Sequence, residues 1–179
     1  AASAQNAPRV FPSPAGNLSV ETVVSGLVNP WALAFFSYRQ MAATEKPGRL
    51  RIATRDGTLS PPVTGVPAVM ARSQGGLHDV ILDRGFAENR TIYWCYAEQA
   101  DGGGRTAMAR GKLVDEGNPR LDDVTVIFRQ EGPLSSGNHY GCRIVQMPDG
   151  NLFLSMGDHF NYRDEAQNLA NHIGKVVRI

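Results

Sequence analysis

Tyr140-Gly141-Cys142-Arg143-Ile144-Val145-Gln146-Met147, then Pro148-Asp149-Gly150, then Asn151-Leu152-Phe153-Leu154-Ser155-Met156: two short apolar runs flank a tight turn, and the stretch reads as one β-hairpin. The same grammar occurs upstream. Residues 75–82 form an apolar stretch, 83–89 a turn and 91–96 a second strand, with further strands expected at 106–114 and 124–128. Earlier still, Leu27-Val28-Asn29-Pro30 leads into an apolar run at 31–36, a polar break at 37–40 and a second run at 41–44. Lys46-Pro47-Gly48 makes a turn, and Arg49-Leu50-Arg51-Ile52-Ala53 alternates with the period of a half-buried strand. Residues 174–179 read as another strand, and the one helical candidate, 164–173, is short enough to be a loop.

Strand, turn, strand, repeated from starts near 31, 76 and 141, is a supersecondary repeat. Its spacings bracket the roughly 40–50 residues of a four-stranded propeller blade, the second copy being stretched by insertions. The expected fold is therefore all-β, a β-propeller. A ring closes with about four to eight blades, whereas 179 residues supply about three at this spacing. Residues 18–179 are thus expected to form a partial propeller, completed by a missing half or by a second chain. Residues 1–17 hold three prolines and no periodicity and read as an N-terminal tail.

Composition narrows the function classes. Lys and Arg exceed Asp and Glu by one charge, which leaves no electrostatic footprint for nucleic acid. No apolar run approaches the roughly 20 residues of a membrane helix. At 42% apolar the chain can build a packed core. Cys95 and Cys142 lack zinc-ligand spacing and read as small buried hydrophobes, although an oxidising compartment would allow them to pair. The start on Ala1-Ala2-Ser3-Ala4-Gln5-Asn6-Ala7-Pro8 resembles that of an exported protein after signal cleavage, and a cloned end would read the same way.

His139 is the strongest chemical candidate. It sits in Ser135-Ser136-Gly137-Asn138-His139-Tyr140-Gly141, a small-residue loop before an inner strand. Loops that enter the inner strands of a propeller line the mouth of its channel. Nineteen residues on, Asp158 ends the partner strand of the same hairpin, so antiparallel pairing brings the two ends together. A carboxylate beside an imidazole fixes its tautomer and raises its basicity, as a general base needs. A purely structural hydrogen bond at a hairpin end would look the same. Gln74, in Ser73-Gln74-Gly75-Gly76-Leu77, enters the preceding inner strand in the equivalent place. It could orient a hydroxylated substrate or cap the loop backbone. His78 reads as packed or exposed, and His159 and His172 lack partners for a metal site. Residues 101–106 are Gly-rich but lack the Lys of a phosphate-binding loop and read as a hairpin loop.

Gln74-Gly75-Gly76-Leu77, the stretch from Gly137 through His139 to Ile144, and Pro148-Asp149-Gly150 through Gly157-Asp158 resemble the soluble quinoprotein glucose and aldose sugar dehydrogenases. So do Asn29-Pro30-Trp31-Ala32-Leu33, Pro47-Gly48-Arg49-Leu50, Ala166-Gln167-Asn168-Leu169 and Gly174-Lys175-Val176-Val177-Arg178-Ile179, in order over about residues 25–179. The resemblance implies a six-bladed propeller carrying pyrroloquinoline quinone (PQQ) and calcium, located in the bacterial periplasm or secreted. It implies oxidation of an aldose at C1 to the lactone, with electrons passed to an external acceptor. By position, His139 would be the base, Asp158 would orient and charge-stabilise it, and Gln74 and Asn138 would place the sugar. The family's cofactor and calcium ligands belong to its second half, so no residue here is assigned to either. Residues 36–41 stand where a Pro-Asp-Gly turn is usual, and His78 where an apolar residue is usual. Two other functions fit the same scaffold: a propeller binding module without turnover, and a calcium-dependent lactonase. The intact set of His139, Asp158 and Gln74 argues against the first. The second requires a carboxylate and Asn cluster that these blades do not supply.

Overall fold

A computed structural model describes residues 8–100, 103–131 and 136–179. Among these residues the strands form four sheets. The first is a hairpin of β1 (Arg9–Phe11) and β2 (Leu18–Val20), both exposed throughout, so part of the stretch read as a tail is paired strand. The other three are successive blades of a β-propeller. Blade one is β3 (Pro30–Phe35), β4 (Gln40–Glu45) and β5 (Arg49–Thr54). Blade two is β6 (Leu77–Leu82), β7 (Thr91–Ala100), β8 (Gly103–Val114) and β9 (Arg120–Arg129). Blade three is β10 (Gly141–Gln146), β11 (Leu152–Met156) and β12 (Val176–Arg178). Each sheet is an antiparallel meander in chain order, and its first strand is innermost: β6 packs against both β3 and β10.

The local chemistry explains the elements. Met147-Pro148-Asp149-Gly150 closes the β10–β11 hairpin, with Gly150 N–H bonded to the Met147 carbonyl and Asp149 Oδ1 accepting from Asn151 N–H. Residues 36–39 make the equivalent connection in blade one without Pro or Gly, and Phe35 still pairs with Met41. Residues 83–89 contain one helical turn, α1 (Phe86–Asn89), where the sequence pattern predicts a plain turn. Gly103 and Gly104 are strand rather than loop; Asp101 and Gly102 lie outside the described residues. The short helical candidate is a single 3₁₀ turn, Arg163–Gln167.

The core lies between blades. Ile92, Trp94 and Tyr96 of β7 point into a cluster shared with Leu50 and Ile52 of blade one, while Tyr93 and Cys95 point into a second cluster with Ile144 and Leu154 of blade three. Successive side chains of a strand face opposite sides. A strand covered on both sides therefore reads as a continuous apolar run, as residues 92–97 do. Cys95 and Cys142 are free and fully buried, and the Cys95 thiol donates to the Cys142 carbonyl at 3.1 Å. The outer faces of the arc keep exposed apolar residues: Leu33 and Phe35 on β3, Val145 on β10 and Val176 on β12.

Polar side chains tie the blades together. Thr44 Oγ1 donates to the His78 carbonyl at 2.6 Å, and Asp79 accepts from Ile144 N–H at 2.8 Å and from Arg143 at 2.9 Å. At the far end of the strands, Asp83 accepts from Asn89, Gly85, Gln146 and Tyr93. Partial burial pushes its carboxyl up, but these four bonds outweigh that and bring it down from 3.8 to about 2. A lowered folded-state pKa stabilises the fold fully above the unfolded value, and the gain is lost as pH falls toward the folded one. Acid titration monitored by near-UV circular dichroism should show stability declining from about pH 4 toward pH 2. Asp83→Asn should flatten that part of the curve; an unchanged curve would mean that another carboxylate controls it.

Candidate active site

β3, β6 and β10 run in the same sense, so the loops that enter them share one end of the arc with the loop that leaves β11. Three of these loops build the site. The loop before β6 presents Ser73 and Gln74, the loop before β10 presents Asn138 and His139, and the loop after β11 presents Asp158. Ser135 lies outside the described residues.

His139 Nδ1 lies 2.8 Å from Asp158 Oδ1. Their side chains are 44% and 30% exposed, so the pair is open to a ligand while fixed in geometry. Asp158 Oδ1 also accepts from Phe160 N–H at 2.9 Å. That backbone donor first, and the imidazole second, hold the carboxyl below the ordinary Asp range, so it is an anion at neutral pH. An anionic acceptor at Nδ1 puts the ring proton there and leaves Nε2 with its lone pair. The Phe160 ring meets the imidazole edge-on, with centroids 5.3 Å apart.

The hairpin end that carries this pair is held by backbone contact. Gly157 N–H donates to the Tyr140 carbonyl at 3.0 Å, and His159 N–H to the His139 carbonyl at 3.3 Å. His139, Cys142, His159 and Phe160 all take positive φ, at 48°, 78°, 51° and 65°. Four non-glycine residues in the left-handed region within one hairpin end are an unusual concentration of strain. Gly141, at φ 74°, pairs with Met156 beside a break in register before Ile144.

Both residues expected to place the sugar come to this site. Gln74 Oε1 accepts from His139 N–H at 2.9 Å, and Asn138 Oδ1 accepts from Ser73 Oγ at 2.6 Å. A depression of about 370 Å³ opens beside them, with Trp31, Lys46, His78 and Tyr140 in its lining. Spacing within the sequence did not single out Trp31, Lys46 or Tyr140. Their signal is positional, since each stands where an inner strand begins or a middle strand ends at this face. A larger hollow of about 950 Å³, lined by Glu88, Lys112 and Asp123 among others, lies at the opposite ends of the strands and has no part in this site.

The remaining histidines make contacts within the fold. His78 is buried between Trp31 and Tyr140, donates from Nε2 to the Gln74 carbonyl at 3.0 Å, and is pushed down in pKa by that burial. His159 is buried, pairs with Gln130 Oε1 at 3.0 Å, and is likewise pushed down by burial. His172 Nδ1 accepts from Glu131 N–H. Among the described residues no three His, Cys, Asp or Glu side chains gather into a metal-binding group. No helix there is long and apolar enough to cross a membrane.

Comparison with known proteins follows the same residues. The model of the Glucose / Sorbosone dehydrogenase family matches residues 27–179. Over 164 residues the chain is 41% identical to an aldose sugar dehydrogenase of Escherichia coli, covering 90% of this chain and 44% of that protein. The crystal structure of the soluble aldose sugar dehydrogenase from Escherichia coli in the apo-form matches with a TM-score of 0.83 at 41% identity, covering 89% of this chain and 46% of that one. The PQQ-bound aldose sugar dehydrogenase of Streptomyces coelicolor shares the fold, with a TM-score of 0.70 at 21% identity over 88% of this chain and 46% of that one. The chain thus spans a little under half the length of the curated relatives it matches.

Proposed function

Because the chain belongs to the glucose/sorbosone dehydrogenase family, we propose that in a closed propeller it serves the oxidation of an aldose at C1 to the lactone, with His139 as the base. The observation that carries this reading is the His139–Asp158 pair at 2.8 Å, exposed at the mouth of the arc. Oxidising a C1 hydroxyl removes a hydride from carbon and a proton from oxygen, and leaves the carbonyl of the lactone. His139 Nε2 receives the proton, and Asp158 holds the ring in the required tautomer and stabilises the imidazolium that results. The donor groups of Gln74 and Asn138 left over from the loop contacts face sugar hydroxyls.

PQQ is the proposed hydride acceptor, and when bound it supplies the two-electron chemistry that no side chain can. These blades fit one edge of such a planar polycarboxylate. The depression beside His139 is open, and among the described residues Lys46 is the only Lys or Arg in its lining. A single ammonium, already donating to the Ser73 carbonyl, leaves the other carboxylates to be held elsewhere in the ring. No residue of this chain is assigned to calcium. Export to the periplasm, and an external electron acceptor, complete the proposal.

The test is sugar-dependent dye reduction by the full-length protein supplied with PQQ and calcium. Reduction with an aldose, and none with the cofactor withheld, is the expected result; no aldose oxidation under any loading would overturn the reading. In the same assay Asp158→Asn should lower kcat by about tenfold to a hundredfold. That is less than loss of the base itself, because the imidazole remains. The KM for sugar should change little.

A further inference from the structure

We infer that Gln74 is a positioning residue for His139: its side-chain oxygen holds the main chain of the base, and its amide nitrogen is left to donate to a ligand. The inference rests on the reading of His139 as the base, and it concerns what keeps that base in place.

Gln74 meets the other loop twice. Its own N–H donates to the Gly137 carbonyl at 2.9 Å, and its Oε1 accepts from His139 N–H at 2.9 Å. One residue thus brackets positions 137 to 139, across 65 residues of sequence and from one blade to the next. A backbone N–H can only donate, so the orientation of the Gln74 carboxamide follows from chemistry: oxygen toward His139, nitrogen away from it. Ser73 Oγ on Asn138 Oδ1 at 2.6 Å adds a second tie beside the first. The two loops touch so closely that a Cβ on Gly137 would come within 3.0 Å of the Ser73 Cβ.

His139 needs such a hold. It sits at φ 48°, a conformation that residues with a side chain rarely adopt. It precedes the first ladder pair of β10, Gly141 with Met156, so the sheet does not secure its N–H. Released, the residue would relax toward ordinary φ and rotate its ring away from Asp158. A displacement of about 1 Å in a reacting group costs on the order of a hundredfold in rate.

Two substitutions separate this role from sugar binding. Gln74→Glu keeps an acceptor oxygen for His139 N–H and removes the amide donor. Gln74→Met keeps the length and removes both. In the full-length, cofactor-loaded protein, Gln74→Met should lower kcat by roughly tenfold to a hundredfold. Gln74→Glu should retain kcat within about threefold and raise the KM for sugar. Hydrogen exchange at the His139 amide gives a readout apart from turnover: it should accelerate in Gln74→Met and stay slow in Gln74→Glu. Both variants raising KM alone, with His139 exchange unchanged, would overturn the inference and return Gln74 to sugar contact only. A fully active His139→Ala would instead overturn the base assignment, whatever the Gln74 variants show.

Discussion

Replacing His139 with Ala is expected to lower turnover of the full-length protein by about a hundredfold to ten-thousandfold, while leaving PQQ affinity and the melting temperature nearly unchanged. The imidazole is positioned by groups that do not depend on its chemistry: the Gln74 oxygen on its N–H, and the Asp158 anion on its Nδ1. Its side chain is 44% exposed and meets Asp158 and the edge of Phe160, both themselves open to solvent, so truncation leaves no buried cavity. A surface truncation of this kind moves stability by roughly half a kcal/mol. Turnover and stability therefore part company, which is the signature of a reacting group and not of a packing one. Full turnover in the variant would sink the assignment. A matching fall in melting temperature would show that the ring was holding the loop.

Much of this is legible in the amino-acid sequence. The Pro148-Asp149-Gly150 turn announces its hairpin through backbone preferences confined to three residues. Antiparallel pairing then carries His139 to Asp158 by arithmetic along one hairpin. The blade count followed from the repeat spacing, and the three sheets of blades one to three answer it. What stayed hidden was longer in range. Gln74 could be read as a sugar contact or a loop cap, and only the relative placement of two blades decides where its oxygen goes. Gly103 and Gly104 read as loop because glycine usually breaks strands. Here the β7 ladder extends to Ala100 paired with Gly103, and the ends of the Met70 and Tyr140 side chains occupy the space over position 104 where a side chain would stand. The turn of α1 is too short to show a period. His78 breaks the apolar pattern of β6 although it is buried, and what accommodates its ring is a loop carbonyl, that of Gln74, which the strand pattern does not reveal.

Gly157 carries the second large effect, and its cause is backbone against backbone. A Cβ at this position would stand 1.8 Å from the His139 carbonyl oxygen and 2.5 Å from its carbon, with Gly141 N at 3.1 Å. None of these atoms belongs to a flexible side chain that could swing aside. Gly157→Ala must therefore spread the end of the β10–β11 hairpin, where Gly157 N–H meets the Tyr140 carbonyl. Asp158 is the next residue, so the 2.8 Å contact to His139 opens with it. The expected result is a loss of about 2–4 kcal/mol in stability, together with a fall in turnover of roughly a hundredfold or more. Gly150→Ala is the matched control at the other end of the same hairpin. Its φ is 90° but nothing lies within 4 Å of the added methyl, so it tests backbone strain without the collision. It should cost about 1 kcal/mol and leave turnover intact. Equal turnover in both variants would show that the close approach of Gly157 to His139 does not set the geometry of the base. A loss confined to Gly157→Ala would tie the catalytic pair to one position where only a glycine fits.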